Sequence, residues 1–231
     1  INTAESYDLP YGRLRPGSPA DLVLLSDLET WDVEHVLIDG EVDPTAGETE
    51  YPPTALATDT VKAPAVEAAD LALDAPSESG DVDVRVIDSL GGLQTAKMEA
   101  SVPAREGRLE ANLDADVLPI SVIERHSGDL DVGTGFVHGL GLDRGAIGST
   151  IAHDAHNLVV AGTSYEAMAT VANHLRKIDG GIAAYDPETE TVTSLSLPAA
   201  GLIADRPLAE VGEQFEAVEA AAREIGVEQA A

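Results

Sequence analysis

Short apolar runs broken by turn formers fill most of the chain, and stripes with helical spacing appear only near its C-terminal end. Asp21 to Leu25 follows the turn-forming RPGSP and Val33 to Asp39 ends at Gly40, which predicts two short strands. Val82 to Ile87 alternates as VDVRVI, and Thr95 to Pro103 and Arg108 to Leu113 follow as further strands. Ile120 to Ile123 leads directly into Glu124. Phe136 to Val137, Ala146 to Ile151 and Leu158 to Ala161 are apolar pieces divided by glycine, the pattern of antiparallel sheet. Gly181 to Tyr185 and Thr191 to Leu197 read as a hairpin around DPETET.

Two helices stand out against this background. Thr163 and Glu166 have capping-box spacing, Met168, Val171, Leu175 and Ile178 form one stripe, and Gly180 stops it. A second helix runs from about Pro207 to Ile225, with Leu208, Val211, Phe215, Val218 and Ile225 on one face. Both read as packing elements, with His174 a surface or boundary residue beside the first stripe. This order predicts the α+β class: strands at the N-terminus over 1–42, a linker over 43–64, and a mixed or antiparallel sheet domain over 65–231 covered by late helices. The linker is inferred from a stretch rich in Pro, Thr, Ala and Glu without apolar periodicity.

Composition narrows the function classes. A length of 231 residues with 44% hydrophobic content allows one large domain or two small ones, and 3% aromatics leaves the core to Val, Leu, Ile and Ala. Acidic residues number 42 against 13 basic ones, for a formal net charge of -29. Self-repulsion on that scale is tolerated when salt screens it, so the acidity reads as adaptation to a salt-rich cytoplasm. No run of three basic residues occurs, which argues against nucleic acid. Cysteine is absent, which excludes disulfides, thiolate catalysis and cysteine-held metals, including the zinc deaminases with a PCxxC motif. No apolar run approaches the roughly 20 residues of a membrane span and no signal peptide opens the sequence, so the expectation is a cytoplasmic protein without membrane contact. Beginning at Ile1, the sequence reads like the middle of a domain, as a fragment does.

Candidate chemistry concentrates in one stretch. Four of six histidines and seven of 21 glycines fall between Glu124 and Asn157. His153-Asp154-Ala155-His156-Asn157 sits between two apolar runs, on a connection where two imidazoles can converge. A histidine beside a carboxylate has the parts for acid/base work, and equally for two metal ligands with an outer acid. It also fits a plain turn, with Asp154 and Asn157 as turn formers. Glu124-Arg125-His126 closes a strand with Arg125 pointing opposite its neighbours, suited to binding a polar heterocycle or to anchoring the loop. His138 suits a lining position or a strand end. No phosphate loop, dinucleotide fingerprint or GxSxG elbow is present.

The stretch ERHSGDLDVGTGFVHGLGLDRGAIGSTIAHDAHNLVVAGT, with GG at Gly180 and LPAAGLIAD from Leu197 to Asp205, resembles the C-terminal domain of bacterial and archaeal adenine deaminases, from Val82 onward. GRLRPGSPADLVLLSDL is similar to the segment where chains of the amidohydrolase superfamily leave their catalytic barrel and complete a small β-sandwich, which makes 1–42 a partial β-sandwich segment. The resemblance implies hydrolysis of adenine to hypoxanthine and ammonia with metal ions in a (β/α)₈ barrel, commonly Mn2+ or Fe2+ and sometimes Zn2+. The barrel's HxH pair is expected before Ile1, since no HxH occurs here, so the chain is expected to hold no metal and to be inactive alone. What the resemblance implies for this chain is a catalytic set of His153, Asp154 and His156 and a substrate-binding set of Glu124, Arg125, His126 and Asn157. The expected partners are adenine and a barrel in the same or a separate chain, with room for a homo-oligomer. Two alternatives remain open, a noncatalytic binding or assembly module docking on a separate barrel and a metal centre formed by HDAH itself.

Overall fold

The computed structural model describes residues 2–43, 57–91 and 94–227, which fall into two compact units, Ile1–Glu50 and Tyr51–Ala231. The first unit holds α1 (Asn2–Ser6) and an antiparallel sheet of β1 (Leu22–Leu25), β2 (Val33–Ile38) and β3 (Glu41–Val42) in sequence order. Strands β1 and β2 take the two positions that the runs beside RPGSP and Gly40 predict. Among the described residues of this unit only Ala4 is buried, and Val23, Leu24, Val33, Val36, Ile38 and Trp31 are all exposed. Neighbouring residues on β2 point to opposite faces, so this small sheet has apolar side chains open on both sides.

In the second unit the chain runs through α2 (Ala68–Leu71), β4 (Leu73–Asp74), β5 (Ser79–Ser89), β6 (Thr95–Arg105), β7 (Arg108–Leu109), β8 (Val117–Ile123), β9 (Val132–His138), β10 (Ala146–Ser149), β11 (Leu158–Gly162), α3 (Tyr165–Lys177), β12 (Gly181–Asp186), β13 (Thr191–Ser196) and α4 (Leu208–Glu224). All ten strands join one sheet, in the order β13-β12-β10-β11-β8-β9-β5-β6-β7-β4. Every pairing is antiparallel except β5 with β9, where Val86, Ile87 and Asp88 run alongside Phe136, Val137 and His138. The fold is α+β, with no barrel among the described residues.

The apolar runs of β10, β11 and β12 are continuous because both faces are covered. Ala146, Leu158, Val160 and Ala183 pack with Met168, Val171 and Leu175 of α3, while Ile147, Ala161 and Ala184 pack on the other side with Ile225 and Ala221. Alternation along each strand sorts these side chains to opposite faces. Burying a leucine-sized side chain fully is worth about 1.5–3 kcal/mol, so α3 with Leu175 and Met168 at 0% exposure is the main fastener.

Local details depart from the sequence pattern for identifiable reasons. Ser164, not Thr163, caps α3, its hydroxyl accepting the Ala167 amide at 3.2 Å. On α4 the expected face is only half used: Val218 and Ile225 are buried, but Leu208 is 85% exposed and Phe215 stays partly open. That helix meets the sheet through Val211, Val218, Ala221 and Ile225. The strand expected over Arg108 to Leu113 stops at Leu109, because the Asn112 side chain accepts the Ala115 amide and starts a 3₁₀ turn, Leu113–Ala115. Residues 44–56, most of the stretch read as a linker, lie outside the described residues. Its last part is packed, with Val61 and Ala63 buried in the α3 cluster.

Candidate functional site

Two connections at the same end of the sheet carry the predicted residues. Strand β8 ends in the Glu124–Asp131 loop and β10 in the Thr150–Asn157 loop, and β11 lies between them in the sheet. The first loop is shaped by Glu124, whose carboxylate accepts the His126 amide at 2.6 Å, the Ser127 amide at 3.0 Å and the Ser127 hydroxyl at 2.6 Å. These bonds to the charged form, with the Ser127 hydroxyl first, hold the Glu124 carboxyl down at about 2.

Arg125 points the other way. It is 2% exposed, and burial pushes its guanidinium below the ordinary value while Asp179 and Glu124 oppose that shift. Its Nε donates to the His156 carbonyl, its Nη1 to Thr60 Oγ1 at 3.1 Å, and its Nη2 to the Ala200 carbonyl at 2.8 Å. Three segments far apart in sequence therefore meet at one guanidinium fork. His126, on the solvent side, reaches the same turn through Nε2 to the Ala155 carbonyl at 3.1 Å.

The second loop stands on a rigid foot. Thr150 is fully buried, its hydroxyl donating to the Gly201 carbonyl at 2.6 Å and accepting the Gly181 amide at 2.8 Å. From there the chain rises into a turn closed by the His156 amide on the Ala152 carbonyl at 2.6 Å, with His156 at φ +50°. His153 and Asp154 project outward with side chains 82% and 89% exposed, His153 Nδ1 paired with Asp154 Oδ1. The His156 ring lies edge-on, its centroid 6.2 Å from that of His153. His156 Nδ1 and Asn157 Oδ1 are buried, closed off from solvent, and make no hydrogen bond among the described residues.

The structure thus brings His126, His153, Asp154, His156 and Asn157 to one surface around Arg125, with Glu124 bracing its edge. His138 is elsewhere, at the β9 end, paired through Nδ1 with Asp88 at 2.7 Å. Among the described residues no three of His, Asp and Glu are placed together to hold a metal ion. A cavity of about 590 Å³ opens at the N-terminus of α3, but its Arg105 pairs with Glu110 and its Tyr165 hydroxyl is spent on Leu109 and Leu73.

Residues 92–231 match the family model described as adenine deaminase C-terminal domain. The chain belongs to this family. Among curated relatives it is similar to adenine deaminases of Methanococcoides burtonii (38% identical), Methanothermobacter thermautotrophicus (37%) and Moorella thermoacetica (34%), each match covering 98% of this chain. It spans about two fifths of the length of these relatives, 39%, 42% and 39% respectively. Within this adenine deaminase domain the GG and LPAAGLIAD motifs acquire a structural meaning: Gly180 and Gly201 abut, a Cβ on Gly180 meeting the Gly201 Cα at 2.6 Å, and together they seat Thr150. Thr60, Thr150 and Asp179 were not legible as site residues. Asp179 accepts the Thr60 amide at 2.8 Å and the Val61 amide at 2.9 Å, and nothing in its local sequence signals that.

The Glu124 interaction gives a direct test. Because its folded value is depressed from 4.5 to about 2, the loop's ordering is complete above the ordinary carboxylate range and is lost as pH falls through about 2. The His126 and Ser127 amide resonances are therefore expected to hold still between pH of about 5 and 3. Movement centred near 4.5 shows instead that the carboxylate is not held.

Proposed function

We propose that this chain is the C-terminal part of an adenine deaminase that converts adenine and water to hypoxanthine and ammonia, a step of purine salvage. In that reaction the water oxygen bonds to C6, the C6–N6 bond breaks, and the departing amine must gain a proton. The observation that carries the reading is the exposed His153–Asp154 pair on a loop anchored by a buried arginine. A freely accessible imidazole with a carboxylate on Nδ1 has its tautomer fixed and its other nitrogen presented outward, the arrangement for moving a proton.

His153, Asp154 and His156 are proposed to handle that proton, and His126 and Asn157 to orient the heterocycle. Adenine carries hydrogen-bond donors and acceptors on its edges, which the His126 ring and the Asn157 amide are chemically able to meet. Glu124 is proposed to contribute by shaping the loop, since its oxygens already accept three bonds. Metal ions, Mn2+, Fe2+ or Zn2+, are assigned to an amidohydrolase-type barrel outside this chain. The first unit supports such a partner, because its apolar residues are open on both faces of a three-stranded sheet. The high acidity is read as adaptation to a salt-rich cytoplasm.

The test is reconstitution. The 231-residue chain with adenine and Mn2+ is expected to release no hypoxanthine, and the same chain joined to the barrel-bearing remainder to release it in proportion to enzyme. Hydrolysis by the chain alone overturns the assignment of the metals to a barrel. A joined protein that binds its barrel but leaves adenine untouched favours the noncatalytic docking module.

A further inference from the structure

The sequence offers Arg125 two tasks, binding a polar heterocycle or anchoring its loop, and its surroundings favour a form of the second. All three nitrogens of the guanidinium are engaged inside the protein, with His156, Thr60 and Ala200. Gly201 closes the remaining side, since a Cβ there meets Arg125 Nη1 at 2.8 Å. The segment supplying Thr60 is itself fixed from behind by Asp179, which accepts the Thr60 and Val61 amides, and the Arg125 carbonyl accepts the Lys62 amide at 2.7 Å. The only part of this network that belongs to the histidine turn is the His156 carbonyl, and the His156 amide closes that turn on Ala152.

We infer that Arg125 is a positioning residue, which sets the placement of the His153–His156 turn by holding the His156 carbonyl and does not touch substrate. The inference rests on the reading of that turn as part of the deaminase site. Lysine is the informative replacement: it keeps the charge but presents a compact ammonium in place of a planar fork, so it cannot span the two carbonyls and the hydroxyl that the guanidinium reaches. Thr60→Val removes one bond of the network while leaving the arginine buried, and so covers the case in which Arg125→Lys fails to fold.

Hydrogen–deuterium exchange on this chain reads the placement without any activity. In Arg125→Lys the 150–157 segment is expected to exchange at least about tenfold faster, with α3 unchanged, and Thr60→Val to shift the same segment by a smaller factor. Equal acceleration in α3, or no change in 150–157 in either variant, overturns the inference. In the full-length deaminase Arg125→Lys is expected to lower kcat by about tenfold or more with KM held within about twofold. A raised KM with kcat retained puts Arg125 on the substrate and overturns it as well. His153→Ala in the same protein separates the two layers: if that variant keeps full turnover, the reading of the site fails, while the exchange data still decide the role of Arg125.

Discussion

His153→Ala in the full-length protein is expected to reduce adenine turnover by about a hundredfold or more, with stability changed by no more than about 0.5 kcal/mol. The asymmetry follows from where the side chain is. The His153 side chain is 82% exposed and, among the described residues, pairs with the still more exposed Asp154, so truncation opens no cavity and strands no buried group. General acid/base groups commonly contribute about 10²–10⁴ in rate, which sets the expected size of the loss. Hypoxanthine formation and a denaturant titration on the same preparation make the comparison. Parallel loss of turnover and stability marks the turn as a structural element, and undiminished turnover removes His153 from the chemistry.

Gly181→Ala is the opposite case, an expected stability collapse of at least about 3 kcal/mol, read as a shift in denaturant midpoint at constant slope. Gly181 has φ +146°, and a Cβ there falls 2.0 Å from the Leu195 carbonyl oxygen of β13. Neither backbone yields without breaking the β12–β13 register, in which Gly181 sits opposite Ser196. The same residue gives its amide to Thr150, so the foot of the histidine loop goes with it. Gly212 in α4 is the control, because a Cβ there meets nothing within 4 Å. Alanine at that position is expected to stabilise by up to about 1 kcal/mol through helix propensity. A Gly181→Ala protein as stable as wild type removes the argument for a tight strand junction.

The α3 stripe and the apolar runs of β10, β11 and β12 were readable because each packs directly on its sequence neighbours' faces, and period alone reports that. The inward turn of Arg125 followed from simple alternation after Ile123. Its task did not, since its acceptors are backbone oxygens at 156 and 200 and a threonine at 60, and carbonyls leave no trace in a sequence. Glycine spacing showed that the Glu124–Asn157 stretch bends, but not that Gly180 and Gly201, outside it, form the seat for Thr150. The four-residue α2 and the two-residue β4 are too short to show any period. On α4 the pattern overstated burial, because a stripe reports which face is apolar and not how much of it finds a partner.

The guanidinium fork that joins residues 60, 156 and 200 carries a kinetic meaning as well. Its bonds close only once stretches separated by dozens of residues have come together, so entropy of chain closure delays them relative to the local hairpins. The histidine rim is accordingly expected to order after those hairpins. By the same reasoning its amides are expected to exchange sooner than those of the sheet beneath.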